Sequence, residues 1–407
     1  AIMGFGGGAM IAAPMKEALL KLFYSPPQRL GGLAELDLVT EGGRRLAQVS
    51  GELREVVVVS AEEGSKLLVH ADEGVYLVGS GSVGAAETFL ALGVLYFVVM
   101  LVAAFSYRVP APDWRPEGWT PPSEDQAGSR MISRHHVHID QALKTPQFYL
   151  LWIVLCFNVT AGIGVIGVAK TMIGEIFGST LPQIVDGQFA ATYVLMISVF
   201  NMAGRFVWAS ASDRLGRKNT YHIFFILGIV LYLSIPLAAM RVSASPMVVW
   251  LVLFYGATML IFTMYGGGFA TIPAYLADIF GTRYVGGIHG RLLTAWSTAG
   301  VLGPLAITEL RARAVSAGIA EVAAKVDPAR FEASFGAGLD QLPALVEAKT
   351  VTLTKLMAIA PPGTVDPTPG LYNSTMVLMA GLLLLALVAN AMVKPVDPRH
   401  HMDASGS

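Results

Sequence analysis

The chain alternates between long apolar runs that carry almost no charge and shorter polar stretches. A helix needs about 20 apolar residues to cross roughly 30 Å of hydrocarbon, and most of these runs reach that length. The fourth reaches it when it is extended through Arg205 to Ser212. Buried strands would be only about four to eight residues long, and strands of a membrane barrel would alternate in polarity. The pattern predicts an all-α membrane protein with eight transmembrane runs: Ala1–Met15, Thr88–Tyr107, Thr145–Ala169, Gly187–Gly204, Asn219–Met240, Val242–Ala277, Leu292–Thr308 and Pro367–Val393.

Three long polar stretches separate these runs. Pro26–Ser82 contains short Val-rich segments typical of strands, which predicts a small β-rich loop. Arg108–Lys144 is charged and rich in Pro, so it is expected to be an irregular linker. Glu309–Asp366 has Ala-rich amphipathic segments, which predict short surface helices.

The amino-acid composition limits the classes of protein to which the chain can belong. Charged residues make up 14% of the chain and hydrophobic residues 54%, whereas soluble domains carry roughly 25% charged residues. The 28 Lys and Arg residues balance 29 Asp and Glu residues, which argues against a nucleic-acid partner. Cys156 is the single cysteine, and no Cys/His pattern has zinc spacing. We therefore predict a lipid bilayer as partner and no cofactor, and the lack of hydrolase motifs argues against an enzyme.

Basic residues in the short loops set the predicted orientation. Arg214, Arg217 and Lys218 follow the fourth run, and Arg283 and Arg291 lie between the sixth and seventh. Because cytoplasmic loops carry the excess of Lys and Arg, these loops, the linker and the C-terminal tail are expected in the cytoplasm. Residues 26–84 and 309–370 then form two loops outside.

The most specific motif lies at the end of the fourth run, where an apolar helix meets Ser-Asp-Arg-Leu-Gly-Arg-Lys and a second helix begins at once. Asp213, Arg214, Gly216 and Arg217 are candidates for a conformational latch, with Gly216 making a tight turn and Asp213 facing basic side chains. The alternative is an ordinary basic loop. The motif resembles the signature loop of the major facilitator superfamily, which joins the second and third helices of each six-helix half.

Further segments are similar to the oxalate/formate antiporter family within that superfamily: Thr145–Trp152, Asn158–Gly162, Gly266–Pro273, Gly290–Trp296 and Gly300–Pro304. The resemblance implies that the six runs from Thr145 to Val393 are helices seven to twelve. It also implies that Met3–Pro14 and Thr88–Tyr107 are the fifth and sixth helices. Eight of an expected twelve helices would then be present.

The predicted organisation follows from this assignment. Residues 1–107 would be a remnant of the N-terminal half, 108–144 the linker, 145–393 the C-terminal half and 394–407 a cytoplasmic tail. Because the first run starts apolar at Ala1 without Met, we expect an N-terminal truncation. The missing first four helices would then be partners of this chain.

One charge lies deep within an apolar run. Arg205 precedes Asp213 by eight residues, which places it ~12 Å inside the helix end. A cation at that depth is a candidate functional residue because it needs a partner or a wet cavity, although an arginine can also snorkel to the interface. Asn201 lies one turn earlier on the same face, and a forked guanidinium suits a carboxylate.

The resemblance implies further residues of a binding site. Tyr265 and Phe269, four residues apart, and Trp296 match aromatic positions that box a small flat anion in the family's oxalate carriers; without the resemblance they would be lipid-facing or core residues. Ala299 stands where those carriers have a Lys, so a monocarboxylate such as formate, pyruvate or lactate fits better than oxalate. Lys170, toward the outer end of its helix, is a candidate second cation.

The predicted function is secondary active transport of a small carboxylate anion by alternating access. The expected location is the cell membrane, with the bacterial inner membrane first. Antiport and proton symport both stay open. The alternative is a non-transporting membrane sensor that binds a ligand at the outside loop.

Overall fold

The computed structural model of the chain describes residues 8–65, 67, 69–108, 111, 114, 117–118, 133 and 135–402. Most of the predicted linker, the Ala1–Gly7 part of the first run and residues 403–407 of the predicted tail lie outside the described residues. The chain divides into two compact units, which are Ala1–Met10, Met131–Lys325 and Ala360–Ser407, and Ile11–Arg130 with Val326–Ile359.

The first unit is helical. Thr145 begins its first long helix, since the Thr145 hydroxyl accepts a hydrogen bond from the Phe148 N–H at 3.4 Å and Pro146 occupies the first turn. The helices of this unit are α4 (Ile139–Ala142), α5 (Pro146–Phe177), α6 (Gly187–Leu215), α7 (Arg217–Ala244), α8 (Val248–Phe280), α9 (Val285–Leu292), α10 (Thr294–Ala323) and α14 (Asn373–Met392).

Helices α6 and α8 approach each other at two glycines. A Cβ atom at Gly204 would collide with the Thr263 carbonyl of α8, and one at Gly266 would collide with the Asn201 carbonyl of α6. Small residues allow such backbone-to-backbone contact between membrane helices. Helix α8 continues unbroken through Pro273, so its glycines serve close packing.

Six helices are long and apolar enough to cross a membrane among the described residues, which confirms the prediction of a mainly helical membrane protein. Two of the predicted runs, Ala1–Met15 and Leu292–Thr308, are not among them. The latter begins at the end of α9 and lies mostly in α10, which continues past the expected end at Thr308 to Ala323. The six are Ala85–Ser106, Pro146–Phe177, Gly187–Leu215, Arg217–Ala244, Val248–Phe280 and Thr368–Met392.

The second unit contains an antiparallel five-stranded sheet in the order β1-β5-β4-β3-β2. Its strands are β1 (Arg29–Gly31), β2 (Leu38–Glu41), β3 (Arg44–Val49), β4 (Glu52–Val59) and β5 (Gly74–Leu77). Ala47, Val56 and Val75 form a small core against one face of this sheet. The helices of this unit are α1 (Gly8–Leu22, in most of its length), α2 (Ala61–Ser65), α3 (Ala85–Ser106), α11 (Pro328–Phe335), α12 (Leu342–Glu347) and α13 (Leu353–Ile359).

Candidate functional site

Arg205 is buried within the helical unit. Its side chain projects from α6 and is 6% exposed. The guanidinium Nε donates a hydrogen bond to Asn201 Oδ1 at 3.3 Å, one helical turn away, and the guanidinium carbon lies 5.4 Å from the centre of the Phe269 ring. The Asn201 amide is neutral, and the face of the Phe269 ring attracts the cation electrostatically.

Three aromatic side chains form a contiguous row next to the Arg205 guanidinium. The rings of Tyr265 and Phe269 meet edge to face, with centres 5.2 Å apart. Phe269 meets Trp296 of α10 in the same way at 5.5 Å. Five of the six predicted binding residues therefore form one cluster, to which α6, α8 and α10 contribute.

Lys170 is separated from this cluster. It is exposed, and it follows Asn158 of the same helix by twelve residues, which corresponds to about 18 Å along the helix axis. Asn158 itself lies beside α8, since a Cβ at Gly268 would be 2.6 Å from Asn158 Nδ2. Gly162, against which the Tyr265 ring packs, precedes Lys170 by eight residues, or about 12 Å along the helix axis.

Asn158 is a candidate that residue-type reasoning did not single out. It is buried and lines, with Gly162 and Tyr265, a cavity of ≈ 10 Å³, about the space of one water molecule. The sequence feature that could have identified Asn158 is its polar amide within an otherwise apolar run. Its side chain becomes a site candidate only because Tyr265 packs against Gly162, one turn further along α5.

The predicted latch residues lie at the junction of α6 and α7. Gly216 links the two helices with φ +86°, a backbone conformation that favours glycine. The Arg217 guanidinium donates to Asp213 and Ser212, and its Nε lies 3.9 Å from Asp278 Oδ2 near the end of α8. Arg214 is exposed and makes no ion pair with any described residue. Asp278, absent from the predicted set, thus joins Asp213 and Arg217 at this junction.

A second charged cluster joins α5, α10 and the start of α14. Arg311 Nε donates to Glu175 Oε2 at 3.0 Å and to the Tyr372 hydroxyl at 3.1 Å. The Tyr372 hydroxyl in turn donates to Glu175 Oε2 at 2.5 Å. The sequence placed Arg311 in an outside loop, because the apolar run ends at Thr308. The helical continuation of α10 instead brings it to Glu175.

Replacing Arg311 with Met should destabilise this cluster, because Glu175 is only 21% exposed and would lose its charged partner. We expect a loss of about 1–3 kcal/mol, measured as a lower Tm of the protein in lipid nanodiscs. Arg313→Met is the matched control, since Arg313 is 73% exposed and pairs with Glu309 on the same helix. Such surface pairs contribute about 0–1 kcal/mol. Equal Tm losses in the two variants would contradict the expectation.

The amino-acid sequence of the chain matches a known protein family and individual known proteins. The profile of the family described as the Major Facilitator Superfamily matches residues 74–304. The chain is 28% identical over 227 residues to the oxalate:formate antiporter of Oxalobacter formigenes, covering 54% of this chain and 46% of that protein. It is 22% identical over 212 residues to the uncharacterized MFS-type transporter YhjX of Escherichia coli strain K12, covering 51% and 46% respectively. The chain thus spans about half the length of the curated relatives it matches.

Proposed function

The chain belongs to the Major Facilitator Superfamily, and we propose that it is a secondary active transporter that carries a small monocarboxylate anion. The observation that supports this most directly is the buried Arg205 guanidinium with its neutral partner Asn201. A guanidinium at membrane depth is a candidate functional group, and a carboxylate matches the forked N–H donors of arginine.

The aromatic residues would shape the pocket around that anion. Tyr265, Phe269 and Trp296 offer ring faces and edges next to Arg205, and such walls suit a small planar carboxylate. They also exclude water, which strengthens the attraction between the guanidinium and the anion.

Among the described residues, the proposed pocket has Arg205 as its cation, which supports a monovalent substrate. Ala299, one helical turn after Trp296, is fully buried and carries no charge where the resemblance implies a Lys. Lys170 is about 18 Å along α5 from Asn158 and is left out of the proposed pocket. With Arg205 as its cation, the pocket matches formate, pyruvate or lactate better than the doubly charged oxalate.

Transport would proceed by alternating access between two six-helix halves. In this proposal α5, α6, α7, α8, α10 and α14 are helices seven to twelve, and α1 and α3 are the fifth and sixth, giving eight of twelve. Helices one to four would complete the cavity. The latch at Asp213, Gly216 and Arg217, to which Asp278 adds a carboxylate, would hold one state at the cytoplasmic surface and release in the other. The two long loops would then lie outside, and the linker and the C-terminus in the cytoplasm.

The alternative function, a membrane sensor that does not transport, is not favoured. Membership of this superfamily and the two transporter relatives point to membrane transport of small anions without an enzymatic step. The expected location is a cell membrane, with the bacterial inner membrane proposed from the named relatives.

A substrate panel tests the monocarboxylate assignment. The full-length gene product in proteoliposomes loaded with formate should exchange labelled formate, lactate or pyruvate. Oxalate should compete at least about tenfold more weakly, because one unneutralised charge in a poorly hydrated site costs more than ~1.4 kcal/mol. Protein-free liposomes provide the background. Stronger competition by oxalate than by formate would contradict the assignment.

A further inference from the structure

A cavity of ≈ 590 Å³ lies in the second unit, away from the residues discussed above. One wall is the sheet, chiefly strand β4 with Arg45 of β3, and the other is the chain between Ser334 and Ile359, which includes α13. In the sheet, Arg45 is directly opposite Val56, so these two side chains lie on one face, and Val58 follows on the same face two residues later. We call this space the cap cavity.

The cap cavity has mainly apolar walls and a size suited to an organic ligand. Val56, Val58, Phe335, Ala358 and Ile359 contribute apolar surface. Binding sites for small organic molecules typically enclose about 300–1,000 Å³ with apolar walls and a few polar groups. The cap cavity falls within this range, and it is far larger than a formate- or lactate-sized anion requires.

Two half-buried cations line the same cavity. Arg45 donates a hydrogen bond to the Ser334 carbonyl near the end of α11, and it makes no ion pair with any carboxylate of the described residues. Lys355 of α13 is 15% exposed and lies 3.7 Å from Glu63. Burial lowers the pKa of both side chains, and the charge of Arg45 lowers that of Lys355 further. Both cations thus line one cavity.

The acidic residues nearby do not offset Arg45. Glu55 lines the cavity, but its carboxylate pairs with Arg44 at 3.1 Å. Glu63 is already engaged by Lys355 and by the Thr352 hydroxyl. Glu73 also lines the cavity but is exposed. The uncompensated charge within the cavity is thus positive and is centred on Arg45.

We propose that the cap cavity binds an amphipathic carboxylate, whose anionic head pairs with Arg45 and Lys355 and whose apolar body contacts Val56, Val58 and Phe335. Arg45 commits one N–H to Ser334 in the contacts described, and guanidinium N–H groups suit carboxylate oxygens. This ligand differs from the small anion proposed for the Arg205 site. The inference rests on the second unit alone and holds whether or not the helices transport.

Binding of a fluorinated probe to the full chain in lipid nanodiscs tests this proposal. The probe is para-fluorophenylbutanoate, followed by fluorine NMR line broadening, with the neutral para-fluorophenylbutanamide for comparison and empty nanodiscs as background. We expect saturable binding of the acid and at least about tenfold weaker binding of the amide, since a charge-assisted hydrogen bond is absent from the neutral compound.

Three variants locate the site. Lys355→Met should weaken binding of the acid by about tenfold, whereas Arg54→Met should leave it unchanged, because Arg54 is exposed, pairs with Glu52 and lies outside the cavity lining. Ala358→Trp fills the cavity without altering a charge and should abolish binding. Lys355→Met could unfold the second unit by leaving Glu63 unpaired, which circular dichroism would detect. In that case Ala358→Trp still tests the site.

Three outcomes would overturn the proposal. They are absence of saturable binding above empty nanodiscs, equal affinity for the acid and the amide, and full binding by folded Ala358→Trp. Equal affinity would mean that the cations contribute nothing to recognition. Loss of binding in Ala358→Trp and Lys355→Met, but not in Arg54→Met, would support the site as described.

Discussion

Replacing Arg205 with Ala in the full-length protein is expected to abolish carboxylate exchange in proteoliposomes. The guanidinium is the buried cation of the proposed pocket, with its Nε bonded to Asn201 and its carbon 5.4 Å from the Phe269 ring. Removing it would leave a substrate carboxylate in an apolar aromatic site without a counter-charge. Loss of a charged hydrogen bond alone costs about 1.5–3 kcal/mol, and desolvation of the unpaired anion adds to that cost.

Two further variants separate charge from geometry. Arg205→Lys keeps the charge but loses the planar fork, so we expect residual exchange with weaker substrate affinity. Lys170→Ala should leave exchange unchanged, because Lys170 is exposed and remote from Asn158 along α5. Exchange that survives in Arg205→Ala would refute the role assigned to Arg205. Loss of exchange in Lys170→Ala would show that Lys170 contributes to substrate binding.

Replacing Gly266 with Ala is expected to disrupt the packing of α6 on α8. The added methyl group would overlap the Asn201 carbonyl oxygen, which belongs to the helix backbone and cannot rotate away. Overpacking of this kind typically costs about 1–3 kcal/mol and occasionally more. The measurement is the Tm in nanodiscs, together with the yield of monodisperse protein after purification.

Gly256→Ala provides the matched control on the same helix. A Cβ at Gly256 has no neighbouring atom within 4 Å, and alanine is favoured over glycine in a helix by up to about 1 kcal/mol. We therefore expect an unchanged or slightly higher Tm. If Gly266→Ala behaved like Gly256→Ala, the close approach of α6 and α8 would be disproved.

Asn201 connects the prediction for Arg205 with the prediction for Gly266. Its backbone carbonyl is the atom that excludes a side chain at Gly266, and its side-chain oxygen accepts the hydrogen bond from Arg205. A shift of α6 away from α8 would therefore also separate Arg205 from Phe269, which α8 carries. We infer that the glycine contact positions the proposed binding residues in addition to stabilising the helix pair.

Several features could be predicted from the sequence because they depend on local patterns. Uncharged runs long enough to span a bilayer predicted the long helices, and α7 begins directly after Gly216 as the motif indicated. Arg205 stood out because a cation within an apolar run is costly wherever the helix packs. The helical spacing of Tyr265 and Phe269 also placed them on one face, and their rings do meet.

The extent of α10 was not predictable from hydropathy. The apolar run stops at Thr308, but the helix continues to Ala323 because the backbone hydrogen bonds of a helix do not require apolar side chains. The contact of Arg311 with Glu175 depends on that continuation and on the packing of α10 against α5. Neither follows from the local sequence around Arg311.

The sequence by itself determined the membrane class, the superfamily motif and the candidate cation, since each is encoded in residues that are neighbours along the chain. Only the tertiary structure decided that Trp296 of α10 meets Phe269 of α8. It also decided that Arg45 of the sheet lines a cavity together with Ser334, which follows it by 289 residues in the chain. Composition and periodicity report which face of an element is apolar, whereas the choice of which faces meet depends on packing between distant segments.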